Sequence, residues 1–171
     1  ERAWTFMPRN GVSEVRPSTG GLVGQYSAFG TFDFAEDEAL VITASPSDAA
    51  YQGIQLGNLW FASLDYATRT SSLSTAQAHA SADGRYRFVV SRRDPGVQNW
   101  LDPEDHRRGL IMLRWQGLSR PIPEDEQPQA ILVDFEELPE VLPADTPSFD
   151  ADDRADQIRR RRAHLQRRFR D

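Results

Sequence analysis

The pattern that most constrains this chain is a series of short apolar–polar alternations between residues 22 and about 118. Phe32 and Phe34 flank Asp33. Leu40, Ile42 and Ala44 share one parity, with Val41 and Thr43 on the other. Ile54 and Leu56 flank Gln55, and Tyr86, Phe88 and Val90 alternate with Arg85, Arg87 and Val89. Side chains of an extended strand alternate sides, so a period of two marks strands with one buried face. The stretch 110–115 is apolar on both parities except at Arg114. Turn residues punctuate the runs: Glu36-Asp37-Glu38, Ser45-Pro46-Ser47-Asp48, Asp83-Gly84 and Asp94-Pro95-Gly96. Asp83-Gly84 predicts a type I′ turn, where both central residues take positive φ. Pro95-Gly96 predicts type II, with Pro fixing φ and Gly in the positive-φ place. A further strand at 130–135 brings the total to about seven or eight, a number and spacing that predict an all-β, jelly-roll-like β-sandwich.

The flanks read differently. Residues 1–21 carry Pro8, Gly11, Pro17 and Gly20-Gly21 and read as an irregular lead-in or linker. The sandwich domain is placed at 22–135, an acidic Pro-rich connector at 136–153 and an Arg-rich helical tail at 154–171. Between Pro121 and Asp153 there are eleven carboxylates, six prolines and no Arg, a composition that cannot nucleate a core and should run over the surface. From Arg154 to Arg170 there are eight Arg, with Ala155, Ile158, Leu165 and Phe169 near one helical face and Arg162 interrupting it. Acids at the start and Arg at the end suit the helix dipole. Two segments are less regular. Residues 59–70 fit a strand, a turn or a helix. Asp102-Pro103-Glu104-Asp105 has the form of a helix start, with Asp as N-cap and Pro in the first turn.

Composition excludes several chemistries. The absence of cysteine removes thiol nucleophiles, disulfides and cysteine-bound metal. All 20 basic residues are Arg, so Schiff-base lysines, pyridoxal phosphate and Walker A loops are also excluded. His79, His106 and His164 have no ligand-spaced neighbour. No cofactor and no metal is expected. No apolar run is long enough to span a bilayer, so no membrane is expected and the expected compartment is the cytoplasm. The chain starts at Glu1 rather than Met, as expected of a piece of something longer or processed.

The densest chemistry lies in Ser91-Arg92-Arg93-Asp94-Pro95-Gly96-Val97-Gln98-Asn99-Trp100-Leu101-Asp102, a connection between two strand patterns. As a ligand site, Arg93 would take an anionic group, Asn99 would orient it and Trp100 would offer an apolar face. As structure, Asp94 would cap the turn, Asn99 would satisfy buried backbone and Trp100 would plug the end of the sandwich. Arg92 and Arg93 face opposite ways on a continuing strand, so at most one belongs to a pocket. Tyr66 and Arg69 are the neighbouring candidates. Asp65 and Arg69 at helical spacing read more simply as an ion pair. Asp102, Glu104, Asp105 and His106 form an oxygen-rich cluster, but an acidic helix start explains it without a metal.

The run Asp94-Pro95-Gly96-Val97-Gln98-Asn99-Trp100-Leu101-Asp102, supported by Ser63-Leu64-Asp65-Tyr66, Arg69, Ser72-Leu73, Asp83-Gly84, Arg93, Gly109 and Arg114, resembles a bacterial family called domain of unknown function 1214. The resemblance covers residues 51 to about 135. It implies a jelly-roll sandwich carried at the C-terminus of a longer protein, often behind a second uncharacterised domain, and implies no reaction. The chain departs from the pattern at Thr70 and Ser74, where the family would place an amide and an Asn.

The expected function is a module that binds a small organic ligand or an adjoining domain through Tyr66, Arg69, Arg93, Asp94, Asn99, Trp100 and Asp102. An alternative is a metal-free acid–base enzyme (a hydrolase, lyase or isomerase) using Asp94, Asp102, His106 or Tyr66 with Arg93 as electrophile; catalytic residues are otherwise unknown. Another is an assembly module, a homo-oligomer held through the Arg-rich helix. Nucleic acid is not expected as a partner, because the chain carries a net charge of −6.

Overall fold

The computed structural model describes residues 6–19 and 21–168. Among them are nine strands: β1 (Arg16–Pro17), β2 (Gln25–Asp33), β3 (Glu38–Ala44), β4 (Tyr51–Gly57), β5 (Ser72–Ser74), β6 (Tyr86–Ser91), β7 (Trp100–Leu101), β8 (Arg108–Gln116) and β9 (Gln129–Asp134). They form two sheets, ordered β1-β2-β8-β4-β5 and β7-β6-β3-β9. All pairs are antiparallel except β6 with β7. The fold is therefore mostly β, two sheets packed as a sandwich, with one long helix at the C-terminal end.

The alternation in the sequence sets which side chains meet between the sheets. Ala28 and Phe32 of β2, Ile54 and Leu56 of β4, and Ile111, Leu113 and Trp115 of β8 enter the core from the five-stranded sheet. Leu40, Ile42 and Ala44 of β3 and Phe88 and Val90 of β6 meet them from the other. Full burial of each large side chain contributes about 2–3 kcal/mol. The segment before β2 packs against this body: the Asn10 and Ser13 amides donate to Thr31 O and Phe29 O, each at 2.8 Å. Gly30 permits that approach, since a Cβ there would lie 1.8 Å from Gly11 O.

The outer face of the four-stranded sheet carries a second, smaller core. Ala39 and Val41 of β3 and Val89 of β6 pack with Leu138, and Val133, Phe135 and Leu142 lie against them. Leu138 opens a short helix, α1 (Leu138–Val141). The acidic connector is expected to run over the surface without nucleating a core; its few apolar residues nonetheless pack on one, because β3 and β6 present Val and Ala outward. A second helix, α2 (Ala151–Arg168), follows. It begins three residues earlier than the Arg-rich tail, because Asp150 caps it: one oxygen of Asp150 accepts from the Asp152 and Asp153 amides at 2.9 Å each. Phe169 and Arg170 lie outside the described residues.

Three local expectations are corrected. Asp83-Gly84 does not form a type I′ turn: only Gly84 has positive φ, at 79°, and its amide donates to Ser81 O at 2.7 Å. With the Ser81 amide donating to Arg85 O at 2.9 Å, this is a type I turn closed by a glycine bulge. Residues 102–106 form no helix. The His106 amide donates to Pro103 O at 3.0 Å, and Glu104 and Asp105 have φ of 55° and 61°, the signs of a type I′ turn. The segment 59–70 takes the turn form among the three expected of it, and the correction there concerns one pair of side chains. Asp65 accepts from the Ala67 and Thr68 amides at 2.7 and 2.9 Å, so Asp65 and Arg69 are not an ion pair on a helix.

Candidate functional site

The loop between β6 and β7 is tied at both ends by its own side chains. Asp94 Oδ1 accepts from the Gly96 amide at 2.9 Å, and Gly96 has φ +69°, as Pro-Gly at a type II turn requires. Asn99 is buried, and its amide group makes two bonds to one residue: Oδ1 accepts from the His79 amide at 2.8 Å, and Nδ2 donates to His79 O at 2.7 Å. Trp100 is 8% exposed, and its Nε1 donates to Ser91 O at 3.0 Å.

The free side of this loop is covered by α2. The Arg154 guanidinium donates from Nε and Nη2 to the two oxygens of Asp94, each at 3.0 Å, and from Nη2 to Val97 O at 2.9 Å. The same group lies 4.9 Å from the Trp100 ring centroid and 4.6 Å from that of Phe149. Its side chain is only 11% exposed. The approach to α2 is fixed by backbone bonds, with the Phe149 amide donating to Gly96 O at 2.7 Å. One turn on, Gln157 Oε1 accepts from Thr70 Oγ1 and Arg154 Nη1, both at 3.1 Å. A further turn on, Arg161 donates from Nη2 to Ser72 O at 2.6 Å and from Nη1 to Ser72 Oγ at 3.1 Å and Tyr66 O at 3.3 Å.

The expected ligand set therefore separates into several parts. Asp94 and Trp100 hold Arg154. Asn99 holds His79. Arg69 Nη1 donates to Asp102 Oδ2 at 2.9 Å, and that carboxylate raises the Arg69 pKa. The other Asp102 oxygen accepts from the Glu104 amide at 2.8 Å, the bond a helix cap would make, but the positive φ of Glu104 and Asp105 turns the chain away from a helix. Arg93 turns the opposite way, its guanidinium 4.0 Å from the Phe135 ring centroid and 3.3 Å from Glu136. Tyr66 is half exposed. No two of Asp94, Asp102, His106, Tyr66 and Arg93 hydrogen-bond to each other. Among the described residues no group of three or more His, Cys, Asp or Glu is placed to hold a metal ion. No helix among them is long and apolar enough to cross a membrane.

What the docking of α2 creates is a groove of about 1010 Å³ between the helix and the β5 edge. Tyr51, Tyr66 and Phe149 give it aromatic walls, Ser72 and Gln77 line the strand side, and α2 contributes Arg160, Arg161, His164, Arg167 and Arg168 with Asp153 and Asp156. Asp156 is held by Arg159 and Arg160. Arg161 has no carboxylate partner among the described residues. Its hydrogen-bond acceptors are neutral, its buried Nε has none, and burial pushes its pKa below the ordinary value. An Arg side chain stays charged nonetheless, so a positive charge stands unneutralised at the groove floor. Sequence reasoning missed Arg154, Gln157 and Arg161. Their spacing of three and four places them on one face, and that was the available signal.

No protein-family model and no curated protein matches the chain. Among solved structures it is similar to an uncharacterised protein from Burkholderia cenocepacia, with 32% identity, a TM-score of 0.69, and coverage of 76% of this chain and 36% of that one. A Vibrio parahaemolyticus protein aligns at 13% identity and a TM-score of 0.47, over 63% of this chain and 30% of that one. The chain thus spans 36% of the length of the Burkholderia protein.

Proposed function

We propose that this chain is a non-catalytic binding module whose groove between α2 and β5 takes a small organic anion with a flat apolar body. The observation that carries the reading is Arg161, a partly buried guanidinium with only neutral partners beneath a groove with phenol-bearing walls. A carboxylate or phosphate would supply the missing countercharge, and Tyr51 and Tyr66 would flank an aromatic or alicyclic ring. Four guanidiniums against two carboxylates among the lining residues favour an anion. The loop residues Asp94, Asn99 and Trp100 serve this site by positioning its wall rather than by touching the ligand. The acid–base alternative has less support, since its candidate groups do not converge. We also read the sandwich as a jelly roll of the domain of unknown function 1214 family. The pairing of the first long strand with β8, the last of its sheet in chain order, supports that reading.

Calorimetric titration with benzoate, phenyl phosphate and neutral benzyl alcohol tests the reading. The two anions should bind and the alcohol should not, and Arg161→Gln should weaken anion binding about tenfold or more, worth roughly 1.4 kcal/mol. Far-ultraviolet dichroism of the variant checks that α2 persists. Equal binding of the alcohol, or no anion binding at millimolar concentration, would refute the proposal.

A further inference from the structure

Each sheet has two edges, and three of the four are blunted. β1 is two residues long and contains Pro17. β5 is three residues long, and its Ser72 carbonyl accepts from Arg161. β7 is two buried residues, and the next amide, Asp102, donates to Thr70 O. Short strands, proline and covering side chains are the usual means of preventing a sheet from pairing with another chain. β9 has none of them. It is six residues long, Gln-Ala-Ile-Leu-Val-Asp, and pairs only with β3. Its backbone makes no hydrogen bond outside that ladder among the described residues. Ile131 is 50% exposed and Leu132 38% exposed.

We propose that this edge pairs with β9 of a second copy of the chain, antiparallel, about a two-fold axis at Leu132. The two four-stranded sheets then join into one of eight strands. The sequence of β9 argues for self-pairing. A two-fold axis perpendicular to the sheet keeps each side chain on its own face, so residues of like parity must oppose one another. Centring on Leu132 sets it against the partner's Leu132. Ile131 then faces the partner's Val133, and Ala130 faces the partner's Asp134. No like charges oppose and no proline enters the new ladder. Centring on Ile131 instead would set Pro128, which has no N–H, against the partner's Asp134. The inward-facing Ala130 and Leu132 continue the core face, and Ile131 gains cover on the outer face. This edge belongs to the sheet opposite β5 and shares no residue with the lining of the α2 groove, so it stands independently of the ligand proposal.

Sedimentation velocity from about 1 to 100 µM tests it, against a monomer of 19.4 kDa. The wild-type chain should dimerise, and Ile131→Lys, at a half-exposed site, should weaken the dimer about tenfold or more while keeping its melting temperature. The chain has no cysteine, so a Leu132→Cys variant gives a clean second readout: under mild oxidation it should cross-link to itself. A chain that stays monomeric throughout the range would overturn the proposal and leave the edge to another protein's extended segment. A dimer insensitive to Ile131→Lys and not cross-linked through position 132 would overturn it equally.

Discussion

Replacing Arg154 with Ala removes the contact that joins α2 to the loop it covers, and its cost can be built from the geometry. The paired bonds to Asp94 at 3.0 Å are charge-assisted, a class worth about 1.5–3 kcal/mol. The Asp94 side chain is 37% exposed, so solvent screening brings this to about 1–2 kcal/mol. Stacking over Trp100 and Phe149 adds about 0.5–1 kcal/mol each. The total, about 2–4 kcal/mol, acts on docking of the helix rather than on the sandwich, because α2 buries no side chain fully. The docking equilibrium should then shift about 30- to 800-fold, with the main unfolding transition little changed. Trypsin reads this directly, since Arg159 to Arg162 offer four cleavage sites that docking protects. In a double-mutant cycle with Asp94→Asn, the two changes should be coupled by about 1–2 kcal/mol. Cleavage at the wild-type rate in Arg154→Ala, or additivity within about 0.3 kcal/mol, would refute the idea that this guanidinium holds the helix.

Two further expectations concern the frame around the site. Asn99→Ala strips both backbone partners from His79 and should cost about 2–4 kcal/mol in urea unfolding, whereas a ligand-contact role would leave stability nearly unchanged. Arg87 holds the Asp83 carboxyl well below its ordinary 3.8, so the native state binds fewer protons than the unfolded chain; the stabilisation is present above about pH 4 and lost as pH falls toward the depressed value. Asp83→Asn should flatten the fall of melting temperature below pH 4, and an unchanged slope would contradict that assignment.

The strands were legible because a half-buried sheet imposes a period of two that nothing else in the chain imitates. Phe32, Leu40, Ile54 and Phe88 all lie on the parity that faces the core. The errors arise where a side chain had two possible partners. Asp102 followed by Pro103 has the form of a helix cap and makes the capping bond to the Glu104 amide, but its other oxygen is held by Arg69 and the positive φ of Glu104 and Asp105 closes a turn instead. Asp83-Gly84 could close a hairpin in two ways, and the pairing of Ser81 with Arg85 selected the bulged form. The packing of two residues of the acidic connector was missed because composition averages over positions. Leu138 and Leu142 are few, but they meet a sheet face already lined with Ala39, Val41 and Val89.

The Arg-rich helix shows why an apolar stripe was an incomplete guide to its docking face: Ile158 and Leu165 of the stripe are partly buried, but the anchors are polar. The residues of α2 that are partly buried are Arg154, Asp156, Gln157, Ile158, Arg161 and Leu165, while Ala155 and Arg162 face solvent. The surface beneath explains the choice. It is the end and edge of a sandwich, where loops expose the carbonyls of Val97, Tyr66 and Ser72 and the carboxylate of Asp94. An apolar helix would leave those acceptors without donors, at about 1–3 kcal/mol for each one buried. A guanidinium carries five donors on a stem that itself packs against apolar groups, so it can satisfy several acceptors at once and still cover a ring. Arg154 does this with Asp94, Val97 and Trp100 together. Arg161 repeats the arrangement on Ser72 and Tyr66 without a carboxylate, and that difference between two otherwise similar anchors is what turns the second into a candidate anion site.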